Sequence, residues 1–116
     1  MRLPWWFPLG SVPEVEAREL AQRLESEPNL QLLDVRSESE YANGHIAGAL
    51  CVPIQSFRQT YHSLGLDPDH PVMVVCLSSH RSVPAVRLLN NDGYDSYQLA
   101  NGMNAWLREG LPTVTD

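Results

Sequence analysis

Apolar residues along this chain alternate between short continuous runs and helically spaced positions. Short, mostly apolar runs are typical of buried strands, and they lie at 30–35, 49–52, 72–75 and 96–99, with a fifth candidate at 14–17. Helical spacing or helix-start signals follow these runs, at 17–24, 37–44, 56–64, 82–91 and 103–108. Because strands and helices alternate, the pattern predicts an α/β domain with a mostly parallel five-stranded sheet and helices on both faces.

Local residue types indicate where several of these elements begin and end. Ser37 is followed three residues later by Glu40, which resembles a capping box over a short helix. Ser82, with Pro84 close behind, is typical of a helix start, and Gly93 is typical of the end of that helix. The strand at 72–75 is therefore expected to lead through a short polar loop into a helix.

Cys76 lies where that strand gives way to the polar loop, which reads CLSSHRS over residues 76–82. Open α/β sheets bind ligands at the carboxyl ends of their parallel strands. Loop amides and the N-terminus of the following helix point at this position, and both favour a thiolate. The alternative is a buried core cysteine. His80 and Arg81 in the same loop favour a nucleophile over that alternative.

Composition and charge narrow the classes of function. The 116 residues are 43% hydrophobic and 19% charged, which fits one globular domain, and the net charge is −6. An acidic chain without a Lys/Arg cluster argues against a nucleic-acid partner and against binding to anionic membranes. The two cysteines do not form a secreted disulfide framework, so we expect a cytoplasmic protein. The four histidines lack metal-ligand spacing, so no metal is inferred.

The amino-terminal residues are apolar and rich in aromatic side chains. The run at 1–10 is too short for a signal peptide or a membrane span, and Pro4 and Pro8 interrupt it. We expect residues 1–12 to form an arm whose aromatics cover an apolar patch, and residues 13–116 to form the domain. An interfacial or partner-binding arm is the alternative.

Four segments, in order along the chain, resemble the rhodanese-like (sulfurtransferase) domain family. They read LLDVR followed by EY, GHIAGA, the C-x4-R-S loop and LANGMNAW, at 32–36 with 40–41, 44–49, 76–82 and 99–106. Each segment falls on the type of element that the family's motif requires. The resemblance implies a rhodanese-like α/β fold and an enzyme that transfers sulfur.

The resemblance also implies a mechanism and a set of site residues. Cys76 would attack the outer sulfur of a donor such as thiosulfate, become a persulfide, and pass the sulfur to a thiol or cyanide. The expected substrate-binding residues are Leu77, Ser78, Ser79, His80 and Arg81. The expected loop-supporting residues are Asp34, Arg36 and Ser82. No cofactor is implied, and a persulfide-carrying protein is a further candidate partner.

Loop length separates this interpretation from its rivals. Cys76 to Arg81 spans six residues, whereas phosphatases that use Cys-x5-Arg have one residue more and cradle a larger phosphate. The short loop therefore argues against a cysteine phosphatase or an arsenate reductase. Retention of Cys76 argues against a non-catalytic rhodanese-like interaction domain, which usually lacks this cysteine.

Two positions depart from the family pattern. Ser79 stands where the loop usually has glycine, so it must adopt either an ordinary backbone conformation or a slightly strained one. Asn101 replaces the first of two common glycines, and asparagine tolerates a left-handed φ better than most residues.

The sequence leaves two alternative roles open for several side chains. Arg81 either contacts an anionic donor or ties the loop to the scaffold through Asp34. Arg36 and Glu40 are expected to pair with each other. Ser78 and Ser79 would bind donor oxygens or cap the following helix. Cys51 is expected in the core, with a resolving role toward Cys76 as the alternative.

Overall fold

The computed structural model describes residues 4–5 and 10–116, and all of the elements below lie within these residues. The strands are β1 (Glu14–Val15), β2 (Gln31–Asp34), β3 (Leu50–Cys51), β4 (Val72–Val75) and β5 (Ser96–Leu99). The α-helices are α1 (Ala17–Ser26), α2 (Glu38–Ala42), α3 (Ile54–Thr60), α4 (Ser82–Asn91) and α5 (Gly102–Arg108). The predicted alternation of strands and helices is confirmed.

The five strands form one sheet in the order β1-β5-β4-β2-β3, and every pairing is parallel. β4 lies at the centre between β2 and β5, and all four of its residues are buried. The register pairs Asp34 with Val75 and Val74 with Gln98. Since the strands run the same way, their carboxyl ends meet at one edge, and the segment that begins at Cys76 leaves from the middle of that edge.

Alternating side chains of the sheet supply a separate core on each face. Val72 and Val74 of β4 pack with α3 and α4, in a cluster that includes Phe57 and Leu89. Met73 and Val75 point to the opposite face, where the cluster is completed by α1 and α5. Helices therefore cover both faces, as predicted, which explains why β4 is apolar at every position.

The largest departure from the predicted elements follows β3. The sequence predicted one weak helix at 56–64, whereas α3 begins at Ile54 directly after Pro53 and is followed by a 3₁₀ turn at Tyr61–Ser63. A 3₁₀ turn commonly tightens the end of an α-helix. Here it places Tyr61 in the core, where its hydroxyl donates to Asp92 at 2.8 Å.

The amino-terminal arm is only partly described. Trp5 stacks on Phe57 with 6.5 Å between ring centroids, and it packs against the α3–α4 face of the core. This contact agrees with an arm that covers an apolar patch, while Trp6 and Phe7 lie outside the described residues. The arm boundary at residue 12 stays a prediction. In the described part of the chain, no helix combines the length and apolar character needed to cross a membrane.

Candidate active site

The Cys76 sulfur lies at the base of the loop that joins β4 to α4. The residue is 1% exposed and belongs to the core cluster on the α4 face. The Ser79 N–H donates to its Sγ at 3.1 Å, and the Ser82 Oγ lies 3.3 Å from the same atom. The six residues from Cys76 to Arg81 therefore curl around the sulfur and present it with a backbone donor. Such donors stabilise negative charge on sulfur.

Ser79 adopts the backbone conformation for which the family uses glycine. Its φ is 72°, in the left-handed region, which costs a non-glycine residue about 1–2 kcal/mol. Two hydrogen bonds offset this strain: the Ser79 hydroxyl donates to the Leu99 carbonyl at 3.3 Å and accepts from the Asn101 N–H at 2.6 Å. The serine side chain thus ties the loop to the end of β5. Of the two conformations expected for Ser79, the structure has the strained one.

The first turn of α5 lies directly beneath the loop. The Met103 N–H donates to the Cys76 carbonyl at 2.8 Å, and the Asn104 N–H donates to the Leu77 carbonyl at 3.0 Å. A Cβ added to Gly102 would lie 2.2 Å from the Cys76 carbonyl oxygen, so only glycine permits this approach. Asn101 precedes it with a φ of 57°, the left-handed conformation that asparagine tolerates. Sequence reasoning did not find this role for Gly102, although the glycine belonged to the motif it used.

Arg81 closes the loop by pairing with Glu40 of α2. Its two terminal nitrogens donate to the two carboxylate oxygens at 2.6 and 2.9 Å, a bidentate geometry. The hydrogen bond from Arg81 lowers the pKa of Glu40 to about 2, with a further contribution from the bonds to Ser37. The capping box of Ser37 and Glu40 is present as predicted, so one carboxylate caps α2 and anchors the loop.

The expected pairing of Arg36 with Glu40 is wrong, because Arg36 donates to both Asp34 oxygens at 2.7–3.1 Å. A scaffold contact of Arg81 was one of its two alternatives, and this contact is made to Glu40 and not to Asp34. Asp34 and Arg36 are two residues apart at the end of β2 and both buried, so they satisfy each other locally. Arg36 also donates to the Gly44 carbonyl at 2.8 Å. Arg36 precedes α2 in the chain and contacts Gly44 just after it. A loop-supporting role of Asp34 and Arg36 would therefore act through α2, which carries Glu40.

A chain of hydrogen-bonded polar groups continues beneath the sulfur and ends at the exposed Glu14. The Ser82 hydroxyl lies 2.6 Å from Oε1 of Gln98 on β5. The Gln98 Nε2 donates to Oε2 of Glu14 at 2.8 Å, across the β1–β5 pairing. Ser82 and Gln98 are 0% and 4% exposed. Sequence reasoning named Ser82 but missed Gln98 and Glu14, because a polar residue inside a short strand gives no signal of what it faces.

The match to known proteins agrees with this geometry. The sequence profile of the rhodanese-like domain matches residues 16–109. The chain belongs to the rhodanese-like domain family. The matched residues include β2, the Cys76 loop and α5, which form the site described above.

Individual rhodanese-like relatives cover nearly all of the chain. A protein of Allochromatium vinosum named as a sulfurtransferase is 35% identical over 104 residues, which cover 89% of this chain and 95% of that protein. The thiosulfate sulfurtransferase GlpE of Shewanella oneidensis is 31% identical, over 84% of this chain and 95% of its own. A crystal structure of a rhodanese-related protein from Thermoplasma volcanium has a TM-score of 0.81 at 28% identity and covers 90% of this chain and 100% of that one.

At the mouth of the rhodanese-like loop, the remaining predicted residues are accessible. Leu77 is 39% exposed, and the exposed His80 ring accepts from or donates to the Ser78 hydroxyl, with 3.0 Å between Nδ1 and Oγ. The residue before α4 is Arg81, and no side chain caps this helix. Neither Ser78 nor Ser79 therefore has the capping role that was one alternative. Contact of these residues with a substrate stays a prediction.

The second cysteine lies away from the first. Cys51 and Val75 pair with Asp34 from opposite sides, so about 10 Å of sheet separates Cys51 from the strand that ends beside Cys76. A disulfide needs Cα atoms within about 7 Å. This geometry argues against a resolving role for Cys51, and both cysteines are free thiols in the structure. Among the described residues, no cluster of three or more His, Cys, Asp or Glu side chains could hold a metal ion.

Proposed function

We propose that this rhodanese-like protein is a sulfurtransferase in which Cys76 carries the transferred sulfur. The observation that carries the proposal is the position of the Cys76 Sγ. It lies at the base of a six-residue loop at the carboxyl end of the central strand, and it accepts the Ser79 N–H at 3.1 Å. Relatives named as sulfurtransferases at 31–36% identity support the class of reaction.

The proposed reaction has two half-reactions. The Cys76 thiolate attacks the outer sulfur of thiosulfate, a new S–S bond forms to Cys76, and the bond to sulfite breaks with its electron pair leaving on sulfite. A thiol or cyanide then attacks the outer sulfur of the Cys76 persulfide, and the bond to Cys76 breaks to regenerate the thiolate. Covalent transfer of this kind gives ping-pong kinetics.

In this proposal Arg81 holds the loop and does not bind the donor. Both of its terminal nitrogens are engaged by the Glu40 carboxylate. The charge of the persulfide would instead be stabilised by the Ser79 amide, as an oxyanion hole stabilises oxygen. Ser78, His80 and Leu77 at the mouth are the proposed contacts for the rest of the donor.

The burial of Cys76 limits which donors fit. A residue that is 1% exposed admits a slender terminal sulfur more readily than a bulky group. Thiosulfate and the terminal persulfide of a second protein both present such an atom. We propose these two classes of donor, and a reducing cytoplasmic setting in which the free thiols of Cys51 and Cys76 persist.

The test is the mass of the intact protein after incubation with thiosulfate, followed by peptide mapping. We expect one added sulfur atom on the peptide that contains Cys76, and its loss as thiocyanate when cyanide is added. The Cys51→Ser variant is the matched control and should gain the same mass. The proposal fails if no tested donor adds sulfur while the native chain hydrolyses aryl phosphates, the activity expected of the phosphatase alternative.

A further inference from the structure

The hydrogen bonds beneath Cys76 determine which atom holds each proton. The Gln98 amide lies 2.8 Å from the Glu14 carboxylate through Nε2. A carboxylate only accepts hydrogen bonds, so the amide nitrogen must face Glu14 and the amide oxygen must face Ser82. The Gln98 Oε1 in turn only accepts, at 2.6 Å from the Ser82 Oγ. The single hydroxyl proton of Ser82 therefore points at Gln98.

This assignment leaves a lone pair of the Ser82 oxygen facing the cysteine. The Cys76 Sγ lies 3.3 Å from that oxygen, so the thiol proton is the one that joins them. When the thiol proton leaves to solvent, the sulfur becomes negative and the Ser82 lone pair would repel it. The hydroxyl then has to rotate its proton toward the sulfur, which leaves the Gln98 oxygen without its donor.

We propose that Gln98, oriented by Glu14, is a positioning residue that competes with the Cys76 sulfur for the Ser82 proton. While the sulfur is protonated, the Ser82 proton stays on the Gln98 oxygen, and this arrangement favours the thiol. When the sulfur is negative, it attracts the Ser82 proton away from Gln98. This inference rests on the proposed role of Cys76 as the sulfur carrier. In this proposal Gln98 disfavours negative charge on the Cys76 sulfur, whereas the Ser79 N–H favours it.

The other groups around the sulfur are held constant in this argument. The Ser79 N–H and the positive charge of Arg81, neutralised in part by Glu40, act on the sulfur from the loop. Glu14 acts from β1 through the Gln98 amide. The Gln98 side chain bonds to Ser82 and Glu14, whereas Ser79 and Arg81 bond to other groups, so we expect its replacement to leave the bonds of Ser79 and Arg81 in place.

The decisive measurement is the rate of Cys76 alkylation against pH, with Cys51→Ser in every variant so that one thiol remains. Gln98→Met removes the competing oxygen at similar volume, and the freed Ser82 proton then stabilises the thiolate. One hydrogen bond of ordinary strength corresponds to a midpoint lower by about half to one pH unit, or about three- to tenfold faster alkylation below the midpoint. Alkylation needs no sulfur donor.

Ser82→Ala separates positioning from a general effect of the substitution. Without the hydroxyl there is no proton to compete for, so adding Gln98→Met to Ser82→Ala should leave the midpoint unchanged. Ser96→Ala is the matched control, since Ser96 is also buried on β5 but bonds to Val86 and Asn90. Ser96→Ala should leave the midpoint of Cys76 alkylation unchanged.

Glu14→Gln tests the same competition from the exposed end of the chain of hydrogen bonds. The Gln98 amide is then free to turn its nitrogen toward Ser82, which redirects the hydroxyl to sulfur and lowers the midpoint by a smaller amount. This variant decides the matter if Gln98→Met does not fold, as judged by circular dichroism. An unchanged or higher midpoint in the folded variants overturns the proposal, and so does an equal shift with Ser82→Ala present.

The two proposals fail separately. Native protein that forms a Cys76 persulfide without any midpoint shift in the variants keeps the sulfurtransferase function and loses the role of Gln98. A midpoint shift in protein that takes sulfur from no donor keeps the competition for the Ser82 proton and removes its connection to sulfur transfer.

Discussion

The two cysteines of this chain show how the same side chain acquires different surroundings in one sheet. Cys76 follows the central strand and meets a backbone donor at 3.1 Å and a hydroxyl at 3.3 Å. Cys51 lies on the edge strand β3, where its thiol donates to the Arg36 carbonyl at 4.0 Å. Burial, with a smaller effect of Asp34, raises the pKa of the Cys51 thiol. Under the proposed function, the position at the carboxyl end of β4, and not the thiol itself, would select which cysteine carries the sulfur.

The strongest test of this comparison removes each of the two thiols in turn. Cys76→Ser should reduce sulfur transfer from thiosulfate to cyanide to the uncatalysed background, because it removes the atom that forms the persulfide. Cys51→Ser should retain the native rate within about twofold, since Cys51 lies on an edge strand away from the Cys76 loop. Steady-state thiocyanate formation measures both. Activity that survives in Cys76→Ser, or is lost in Cys51→Ser, would reverse the assignment.

A second test crowds the loop from below. Gly102→Ala places a Cβ 2.2 Å from the Cys76 carbonyl oxygen and 2.7 Å from the Leu77 carbonyl, at a φ of +52°. We expect a loss of about 2–4 kcal/mol in the free energy of unfolding, together with a loss of sulfur transfer. Urea denaturation gives the first quantity.

The matched control is Gly48, which precedes Cys51 by three positions in the chain. Gly48 also has a positive φ, +87°, but nothing lies within 4 Å of an added Cβ. Gly48→Ala should therefore cost only the backbone strain of about 1–2 kcal/mol and leave the specific activity of the folded protein unchanged. Equal losses in the two variants would mean that contact with the loop is irrelevant.

A third test concerns the guanidinium that closes the loop around Cys76. Lysine keeps the charge of Arg81 but cannot reproduce the two parallel bonds to Glu40. We expect Arg81→Lys to lose activity almost as far as Arg81→Ala, by about 10- to 100-fold, because a loosened loop misplaces the sulfur. Stability should fall with activity. A lysine variant with near-native rate and unchanged stability would show that Arg81 attracts the donor instead.

The smallest expected effect is the pH dependence of that ion pair. The pKa of Glu40 is lowered from its ordinary value of 4.5 to about 2, so its stabilisation is fully present above about pH 4.5 and is lost as the pH falls through about 2. Because the carboxylate is 30% exposed, solvent screening limits the contribution to about 1 kcal/mol, or about 4 °C in Tm.

The comparison uses native protein and Glu40→Gln, unfolded by heat at several pH values. The native protein should be the more stable by about 1 kcal/mol near neutral pH, and the difference should shrink toward acid pH and at high salt. A difference that is constant down to about pH 2 would assign the loss to the capping box of α2 and not to the charge of Glu40.

The order of the elements and the position of the loop were predictable from the sequence. Strand runs, helical spacing and the Ser37–Glu40 capping box depend on residues within a few positions of one another, so they are legible in a single sequence. The apolar run of β4 and the change to a polar loop at Cys76 are also local features of the sequence. The resemblance to the rhodanese-like family rested on these local segments, and the fold bore it out.

The partners of the loop were decided only by the tertiary structure. Arg81 pairs with Glu40 across 41 positions, although the partner considered from the sequence was Asp34, and Gln98 pairs with Glu14 across 84. Strand order β1-β5-β4-β2-β3 brings these residues together, and it also separates Cys51 from Cys76. A local pattern specifies where a side chain leaves the backbone, whereas the sheet register specifies what it meets, because contacts between distant segments depend on the packing of the whole chain.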